Sequence, residues 1–294
     1  MRLRALAPAK LNLGLFLGGV RQSDRRHELV TVFQSLSLAD VLIATEGDAD
    51  EVICPGVVGG NLAADALAAL RARGWDGPPL RIEIEKRIPV AGGMAGGSAD
   101  AAAALRLALA FLPGRAEEVE AIAAGLGADV PSQLMPGVSI GTGAGEIVEQ
   151  FPALPEHAYV VVPMPFELST ADAFREADRL GLARSSNQLA KLHGFLQVAL
   201  SAGGQLPAEL LVNDLEPAAL SLHPEIGAAL EAVWGTGAEH AFISGSGPTV
   251  CGLWWGAGAA DRAAAAADSL RAEWPDVLAA TPVNAEFALP VMLD

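Results

Sequence analysis

A glycine-rich stretch at residues 89–101 carries the residue types best suited to binding an anion. It reads Pro-Val-Ala-Gly-Gly-Met-Ala-Gly-Gly-Ser-Ala-Asp-Ala. Residues 80–88 before it alternate apolar and charged side chains, as a half-buried strand does, and residues 101–111 after it are almost all strong helix formers. Glycines let phosphate oxygens approach backbone N–H groups, and a helix N-terminus adds partial positive charge. This order predicts a phosphate site, with Ser98 and Asp100 as N-cap residues of the helix.

Three alternatives to this phosphate site share features with the glycine-rich stretch. A glycine-rich turn that binds nothing has the same composition. A Walker loop requires Gly-Lys-Ser or Gly-Lys-Thr, and this loop contains no lysine. A dinucleotide-binding loop is approximated by Ala91, Gly93 and Gly96, but that fold expects a second strand ending in an acidic residue. Residues 115–126 predict another helix instead, which disfavours the dinucleotide loop and leaves the ligand-free turn open.

Lys10 and Asp129 are candidates for proton transfer beside such a phosphate. Lys10 is one of only three lysines in the chain, and it lies among the apolar residues of a predicted strand at 3–17. Its compact ammonium could neutralise a phosphate or orient a carboxylate, although a strand-edge lysine more commonly snorkels to solvent. Asp129 belongs to the run Gly-Ala-Asp-Val-Pro at 127–131, where an aspartate more commonly caps a turn or a helix.

The charge balance argues against some classes of partner. The chain has 19 basic and 35 acidic residues and a net charge of −16, which disfavours wholesale binding of nucleic acid or of an anionic membrane. An anionic substrate would therefore need locally concentrated positive charge. Arg21, Arg25 and Arg26 form the one dense basic cluster near the N-terminus, although such arginines more commonly belong to a solvated loop.

Cysteine usage and hydropathy further limit the class of protein to which this sequence can belong. Cys54 and Cys251 are the only cysteines and the five histidines are scattered, so the sequence predicts neither a disulfide framework nor a clustered metal site. No stretch reaches the roughly eighteen apolar residues that span a bilayer. Pro8, Lys10 and Asn12 interrupt the apolar N-terminal region and no clean cleavage site follows, so we expect a cytoplasmic enzyme.

The chain is long enough, at 294 residues, for two lobes. A buried-looking strand starts afresh at 159–163, so we place the boundary near 150–158 and divide the chain into 1–154 and 155–294. The first lobe is predicted to contain a strand from 27 to 41, a helix capped by Asn61 and a strand at 138–148. The second is predicted to contain helices at 168–174, 187–200, near 234 and at 259–274, and strands at 250–254 and 283–289. This order suits a ferredoxin-like lobe.

Taken together, these pieces resemble the GHMP kinase family, whose glycine loop has a Pro-x-x-x-Gly-Leu-Gly-Ser-Ser-type core. Five further elements match family motifs in the same order: Pro8-Ala9-Lys10-Leu11-Asn12-Leu13, Arg25-Arg26-His27-Glu28-Leu29, Asn61-Leu62, the run at 127–131 and Asn213-Asp214-Leu215-Glu216-Pro217. The late loop Ser244-Gly245-Ser246-Gly247 also matches. The resemblance implies an α+β fold with an N-terminal lobe like domain 2 of ribosomal protein S5, a ferredoxin-like C-terminal lobe, and an active site in the cleft between them.

The resemblance also implies an ATP-dependent phosphotransferase with an alcohol as acceptor. Within the family, the motifs are most similar to those of kinases that phosphorylate the 2-hydroxyl of a cytidine diphosphate sugar alcohol in non-mevalonate isoprenoid precursor synthesis. The alternatives are a mevalonate- or homoserine-type kinase, or a non-catalytic sensor, although a sensor has no need of Lys10 beside Asp129. ATP and Mg²⁺ are the implied cofactors, with Ser98 a candidate metal ligand, and we expect a monomer or a weak homodimer.

The family's site residues carry over to this chain position by position. Asp129 would take the proton from the substrate hydroxyl, with Lys10 beside it. The ATP-binding set would be Asn61, Lys86, Pro89, Val90, Ala91, Gly92, Gly93, Met94, Ala95, Gly96, Gly97, Ser98 and Ala99. The substrate-binding set would be Asn12, Arg26, His27, Thr170 and Phe174, with Phe174 stacked on the cytosine and His27 at its edge.

The chain departs from the family pattern in the glycine loop and beside His27. Met94 replaces a leucine, Ala95 a glycine and Ala99 a serine, so we expect the loop to close on phosphate with one hydroxyl contact fewer. Arg26 replaces a tyrosine that stacks on the cytosine. Because a guanidinium can also stack on a base, we expect altered rather than lost recognition.

Overall fold

The structure, a computed structural model, describes residues 1–57, 59–90, 92–113 and 116–294, without the side chains of residues 116 and 117. The strands are β1 (Arg2–Val20), β2 (His27–Glu46), β3 (Glu51–Ile53), β4 (Leu80–Glu85), β5 (Val138–Gly143), β6 (Ile147–Phe151), β7 (His157–Val162), β8 (His240–Ile243), β9 (Val250–Trp255), β10 (Leu278–Ala280) and β11 (Val291–Met292). The helices are α1 (Leu62–Ala72), α2 (Gly96–Phe111), α3 (Ala116–Leu126), α4 (Val130–Leu134), α5 (Thr170–Leu180), α6 (Ser186–Ser201), α7 (Glu216–Leu222), α8 (Ile226–Gly235) and α9 (Ala259–Leu270). Within these ranges, none of the helices combines the length and apolarity that a bilayer crossing requires.

The first sheet is built on two long antiparallel strands. β1 and β2 pair along nearly their whole length. On its other edge β2 serves two partners, because residues 41–46 pair with β4 and residues 29–34 pair with β5. With β6 on β5, β3 on β4 and β11 on β1, the described part of this sheet has seven strands. Residues 35–40 of β2 therefore lie between its two partners, beside the segment that leads from β4 into the glycine loop.

α2 packs against β1, β2 and α1. Its residues 99–105 are all buried and consist of alanine apart from Asp100 and Leu105. Alanine lets a helix backbone approach its neighbours closely, since it has no long side chain to accommodate. The glycine loop is tied to β1 as well, because the backbone N–H of Lys10 donates to the carbonyl oxygen of Met94 at 3.1 Å. Packing of α2 thus brings the glycine loop against the strand that carries Lys10.

The second sheet has the strand order β10-β7-β9-β8 and is antiparallel throughout. α8 packs against β8 and β9, and α9 packs against β7, β9 and β10. The four strands and their helices follow the β-α-β-β-α-β order of a ferredoxin-like unit. The predicted α+β class is confirmed.

The predicted strand at 283–289 is wrong. β10 ends at Ala280, Ala285–Ala288 form a short 3₁₀ helix, and the next strand is β11. The physical reason is Asn284, whose Oδ1 accepts a hydrogen bond from the backbone N–H of Glu286 at 3.1 Å. Such local side-chain bonds compete with extended backbone.

One prediction about the division of the chain stays open, and the helix predicted at 115–126 is present over its described part. The predicted boundary between 154 and 155 falls between β6 and β7, but β11 returns the C-terminal end to β1 in the first sheet. The division into two lobes at this point therefore remains a prediction. α3 covers most of the predicted helix at 115–126, and Arg115 lies outside the described residues.

Candidate active site

A cleft of about 590 Å³ is lined by residues from both parts of the chain. β1, β2, the glycine loop and the start of α2 contribute from the first part, and residues 168–170, 174 and 245–247 from the second. The predicted site residues that line it are Lys10, Asn12, Asn61, Lys86, Pro89, Val90, Gly92, Gly93, Ala95, Gly96, Gly97, Ser98, Asp129, Thr170 and Phe174. Ala91 lies outside the described residues. The structure thus collects most of the predicted set in one place, and the role of each residue remains a prediction.

The helix after the glycine loop begins earlier than its composition suggested. α2 starts at Gly96, and its N-cap is Ala95, which has the left-handed dihedrals φ 57° and ψ 34°. Ser98 and Asp100 therefore lie inside the helix, and the prediction that they are N-caps is wrong. Glycines disfavour helix, but the buried alanine face of α2 draws Gly96 and the following glycine into it. Because the first intrahelical bond runs from the N–H of residue 99 to the carbonyl oxygen of Ala95 at 2.9 Å, the N–H groups of residues 96–98 remain for an anion.

Two of the predicted ATP contacts are buried instead of facing the cleft. Met94 is 1% exposed and Ala99 is fully buried, and both belong to the hydrophobic core of the first part of the chain. Neither is among the described residues that line the cleft. The leucine-to-methionine and serine-to-alanine departures therefore lie on the packed side of the loop, where an apolar side chain is suited.

A second small-residue loop closes on the first. Gly93 has φ +71°, and a Cβ there would lie 2.5 Å from the carbonyl oxygen of Ser244 and 2.8 Å from that of Gly247. Only glycine permits this approach without displacing backbone. The hydroxyl of Ser244 also donates to the carbonyl oxygen of Gly93 at 3.3 Å. The two loops together form one wall of the cleft.

Lys10 and Asp129 meet in the cleft, as the resemblance implied. Lys10 Nζ lies 3.6 Å from Asp129 Oδ2, and the side chains are 5% and 35% exposed. The ammonium also donates to Asn12 Oδ1 at 2.6 Å and to the carbonyl oxygen of Gly93 at 3.4 Å, and it lies 5.5 Å from the ring centre of Phe33. A buried ammonium with these partners is fixed in position, which excludes the snorkelling alternative.

Strand irregularities and a hydrogen-bond chain orient the first half of this group. The β1–β2 register shifts between Pro8 and Lys10 and again between Asn12 and Gly14, and such bulges commonly re-aim side chains beside active sites. Asn12 Nδ2 donates to Thr31 Oγ1 at 2.8 Å, and Thr31 Oγ1 donates to the carbonyl oxygen of Gly14 at 2.7 Å. The Asn12 oxygen is thereby held toward the ammonium of Lys10.

Asp129 occupies the N-cap position of α4, but its carboxylate makes no capping hydrogen bond within the described structure. Pro131 stands in the first turn of α4, where the missing N–H of proline costs nothing. The alternative role of Asp129 as a side-chain cap is therefore not observed. Its carboxylate is free to face Lys10 and the cleft.

Only some of the predicted substrate-binding residues line the cleft. Thr170 Oγ1 and Ser246 Oγ lie 2.9 Å apart. Phe174 lines the cleft, but one face of its ring stacks on His27, with the ring centres 5.0 Å apart and the planes at 27°. His27 Nε2 also lies 2.9 Å from Asp178 Oδ1. His27 is thus held by two residues of α5, and it is not among the described residues that line the cleft.

Arg26 does not reach the cleft in this structure. Its Nε donates to Asp24 Oδ2 at 3.0 Å, its guanidinium approaches Glu146 at 4.0 Å, and its side chain is 44% exposed. The expectation that Arg26 takes the place of the stacking tyrosine is therefore not supported by this conformation. Asp24 on the same loop and Glu146 between β5 and β6 compete for the guanidinium, and spacing in the sequence did not reveal these contacts.

The environment of Lys86 differs from the one expected of a residue that contacts the adenine of ATP. Its ammonium lies between two buried carboxylates, donating to Asp40 Oδ2 at 2.5 Å and to Asp100 Oδ2 at 2.7 Å. Burial alone would lower the pKa of Lys86, but the charges of both aspartates outweigh it and raise that pKa. Burial raises the pKa of Asp100 to about 7, although the positive charge of Lys86 acts to lower it.

Several residues of the site had no predicted role. Asn213 Nδ2 donates to the carbonyl oxygens of Ile243 and Gly245 at 2.8 and 2.7 Å, so it braces the second loop. The Asn-Asp-Leu-Glu-Pro motif marked this residue without giving it a function. Asp40 and Thr31 were missed altogether. A lone aspartate between apolar residues of a strand was the available signal for Asp40, because a buried carboxylate needs a partner.

Two family models match the chain. The GHMP kinases N terminal domain matches residues 61–137, which contain the glycine loop and Asp129. The GHMP kinases C terminal model matches residues 196–272, which contain the second loop. The chain therefore belongs to the GHMP kinase family, and it is an ATP-dependent phosphotransferase.

Individual relatives show which members of the GHMP kinase family this chain is similar to. The chain is 41% identical over 264 residues to a 4-diphosphocytidyl-2-C-methyl-D-erythritol kinase of Streptomyces coelicolor, covering 86% of this chain and 88% of the relative. It is 41% identical to the protein of the same name from Salinispora tropica, covering 91% and 88%. A crystal structure of 4-(cytidine 5'-diphospho)-2C-methyl-D-erythritol kinase superposes with a TM-score of 0.77 at 33% identity, covering 95% of this chain and 98% of that one. The predicted family resemblance is confirmed.

Proposed function

We propose that this kinase transfers the γ-phosphoryl group of ATP to the 2-hydroxyl of 4-diphosphocytidyl-2-C-methyl-D-erythritol, in non-mevalonate isoprenoid precursor synthesis. The observation that carries the mechanism is the contact of Lys10 with Asp129 in the cleft that also holds the free N–H groups of α2. The names of relatives that match along most of the chain support the choice of substrate.

Phosphoryl transfer depends mainly on in-line positioning and on stabilising charge. Asp129 accepts the proton of the substrate hydroxyl as that oxygen attacks the γ-phosphorus. The ammonium of Lys10 keeps the carboxylate ionised and directed at the hydroxyl, and Asn12 binds the neighbouring hydroxyls of the methylerythritol. Asp129 is partly exposed while Lys10 is buried beneath it, so the carboxylate is the member of the pair that a substrate can reach.

The ATP phosphates bind at the start of α2. The N–H groups of residues 96–98 and the helix dipole favour the anion there. Among the residues that the structure describes, the charged side chains lining the cleft are Lys10, Lys86, Asp100 and Asp129, and these supply no excess of positive charge for a triphosphate. The backbone donors and a cation have to make up the difference.

We expect Mg²⁺ to be that cation. No group of three or more His, Cys, Asp or Glu side chains in the described ranges could hold a metal ion. A Mg²⁺ ion bound to ATP needs only one or two protein oxygens, because phosphates and water complete its shell. Ser98 fits this requirement, since it lines the cleft in the first turn of α2. The bound ion would neutralise charge on the transferring phosphoryl group.

The cytosine end of the substrate binds beside Phe174 and Thr170. His27 covers one face of the Phe174 ring, so the base stacks on the other face, and His27 has to leave this stack to reach the edge of the base. The net charge of −16 supports a role without nucleic-acid or anionic-membrane partners. We place the enzyme in the cytoplasm as a monomer or a weak homodimer.

Coupled ADP release tests this proposal. The purified chain is given MgATP with the cytidine diphosphate sugar alcohol, with mevalonate or with homoserine. We expect ADP only with the first. Turnover of mevalonate or homoserine instead would overturn the substrate assignment, and no ADP with any of the three would favour a ligand sensor.

A further inference from the structure

A buried aspartate holds the entrance of the glycine loop. Asp40, near the middle of β2, has a fully buried side chain. Its Oδ1 accepts hydrogen bonds from the backbone N–H groups of Arg87 and Ile88 at 2.6 and 2.8 Å. These two residues connect β4 to the glycine loop at Pro89, so the carboxylate fixes the direction in which the chain leaves β4.

The same carboxylate is linked to the exit of the loop through Lys86. Lys86 Nζ donates to Asp40 Oδ2 at 2.5 Å and to Asp100 Oδ2 at 2.7 Å. Asp100 belongs to the second turn of α2, beyond the residues whose N–H groups are free for phosphate. One ammonium therefore joins the segment that enters the loop to the helix that leaves it.

A glycine at the start of α2 leaves room for the ammonium of Lys86. A Cβ at Gly96 would lie 3.2 Å from Lys86 Nζ, a distance at which one of the two must move. Lys86 thus lies directly against the first residue of α2. The ammonium is therefore in place to support the N-terminal turn that presents the phosphate donors.

We infer that Asp40 is a positioning residue for ATP, which acts by clamping the two ends of the glycine loop through Lys86 and Asp100. The inference rests on the proposed function, because it takes the N–H groups of residues 96–98 as the ATP phosphate site. It also changes the expected role of Lys86, whose ammonium is already engaged by Asp40 and Asp100. In the clamp, Lys86 supports the loop from beneath instead of contacting the adenine.

The chain offers a matched control at the other end of β4. Asp50 Oδ1 accepts from the backbone N–H of Leu80 at 2.8 Å, and both of its oxygens accept from the guanidinium of Arg71 at 2.8 and 3.0 Å. Asp50 therefore resembles Asp40 in binding one strand end and one cation. It differs in lying away from the glycine loop, at the beginning of β4.

The test compares Asp40→Asn with Asp50→Asn. Each asparagine keeps an oxygen for the backbone N–H groups and turns an amide donor toward the cation. Asp40→Asn thereby breaks the link to Lys86, and Asp50→Asn removes the carboxylate charge and one of the two hydrogen bonds from Arg71. Asp40→Asn also leaves Lys86 and Asp100 as a neutral pair, which favours a folded variant. Affinity for the fluorescent analogue mant-ATP with Mg²⁺, both KM values and the melting temperature are measured for each variant.

For Asp40→Asn we expect affinity for mant-ATP to fall at least tenfold and KM for ATP to rise equally, with KM for the cytidine substrate within about twofold of wild type. Amide hydrogen exchange of peptides covering residues 92–99 should accelerate. Asp50→Asn should change only the melting temperature. If Asp40→Asn does not fold, Asp40→Ser takes its place. The serine hydroxyl can accept one backbone hydrogen bond but cannot form the ion pair with Lys86, so we expect the same pattern.

Equal affinity for mant-ATP in wild type and Asp40→Asn would overturn the clamp. An equal loss of affinity in Asp50→Asn would also overturn it, and so would equal increases in KM for ATP and for the cytidine substrate in Asp40→Asn. Nucleotide affinity and hydrogen exchange need no turnover. A wild-type chain that binds mant-ATP but phosphorylates nothing would therefore refute the proposed function while the clamp is still tested.

Discussion

Asp129 Oδ2 lies 3.6 Å from Lys10 Nζ, at the point where the start of α4 meets a bulged region of β1. The ammonium is buried and also donates hydrogen bonds to Asn12 and to the carbonyl oxygen of Gly93. The carboxylate makes no capping hydrogen bond in the described structure and is open to the cleft. The arrangement directs the free carboxylate toward an incoming hydroxyl. This is the geometry expected of a general base supported by a fixed cation.

Phe174→Ala should weaken binding of the cytidine substrate alone. The ring lines the cleft from α5, an element other than the one that begins with residues 96–98. Loss of an aromatic stacking partner costs about 1–3 kcal/mol, so we expect KM for that substrate to rise roughly tenfold or more while KM for ATP stays within about twofold. Steady-state kinetics with each substrate varied in turn provide the measurement.

Phe195→Ala is the control for this change, because Phe195 is 62% exposed on α6. It should leave both KM values unchanged. Equal increases in both KM values for Phe174→Ala would count against the stacking role.

Ala95→Gly should stabilise the protein. Ala95 has φ 57°, and the left-handed region costs an alanine about 1 kcal/mol relative to glycine. We expect the free energy of unfolding in urea to rise by roughly 0.5–1 kcal/mol. Ala99→Gly, inside the buried part of α2, should lower it by about 1 kcal/mol. Destabilisation by both substitutions would show that residue 95 does not adopt this conformation in solution.

The stability contributed by Asp100 should decline as pH rises. Burial raises its pKa to about 7 from an ordinary value of 3.8, so between these values the folded state binds a proton that the unfolded state has lost. The free energy of unfolding therefore falls over this range, by an amount on the order of 2–4 kcal/mol. The groups facing Asp100 are Lys86, Asp40 and Cys54.

Other carboxyl groups titrate over the same range, so the measured quantity is the difference in unfolding free energy between wild type and Asp100→Asn. That difference should become less favourable to the wild type between pH 5 and pH 8. A difference independent of pH would place the pKa of Asp100 near its ordinary value.

Removal of the metal ion should abolish ADP release. We expect excess EDTA to stop the reaction and added Mg²⁺ to restore it. Ser98→Ala should raise the Mg²⁺ concentration for half-maximal rate by roughly tenfold, because it removes the side-chain oxygen that lines the cleft in the first turn of α2. Ser269→Ala, at an exposed position of α9, is the control. An unchanged Mg²⁺ requirement in Ser98→Ala would exclude Ser98 as a ligand.

The sequence was informative where function depends on local motifs. The strand–loop–helix order around the glycines, the Asn61 cap and the run containing Asp129 each carry their meaning within a few residues. Most of the helices also followed from periodicity and composition. The family match then brought Lys10 and Asp129 together, which periodicity and spacing could not do by themselves.

Contacts between segments that are distant in the sequence could not be predicted from it. Asp40 meets Lys86 only because residues 41–46 of β2 pair with β4, a register that composition does not specify. Arg26 was expected at the base, but Asp24 on the same loop captures its guanidinium. The start of α2 was misplaced because glycine propensity suggested a loop where packing of the alanine face extends the helix.

Turnover by Asp129→Asn is the measurement on which the mechanism depends. With saturating MgATP and cytidine substrate, we predict that kcat falls by about two to four orders of magnitude, with the melting temperature and both KM values close to wild type. Asp276→Asn, at an exposed position, should retain full activity. A folded Asp129→Asn enzyme with near-normal kcat would contradict the assignment of Asp129 as the base.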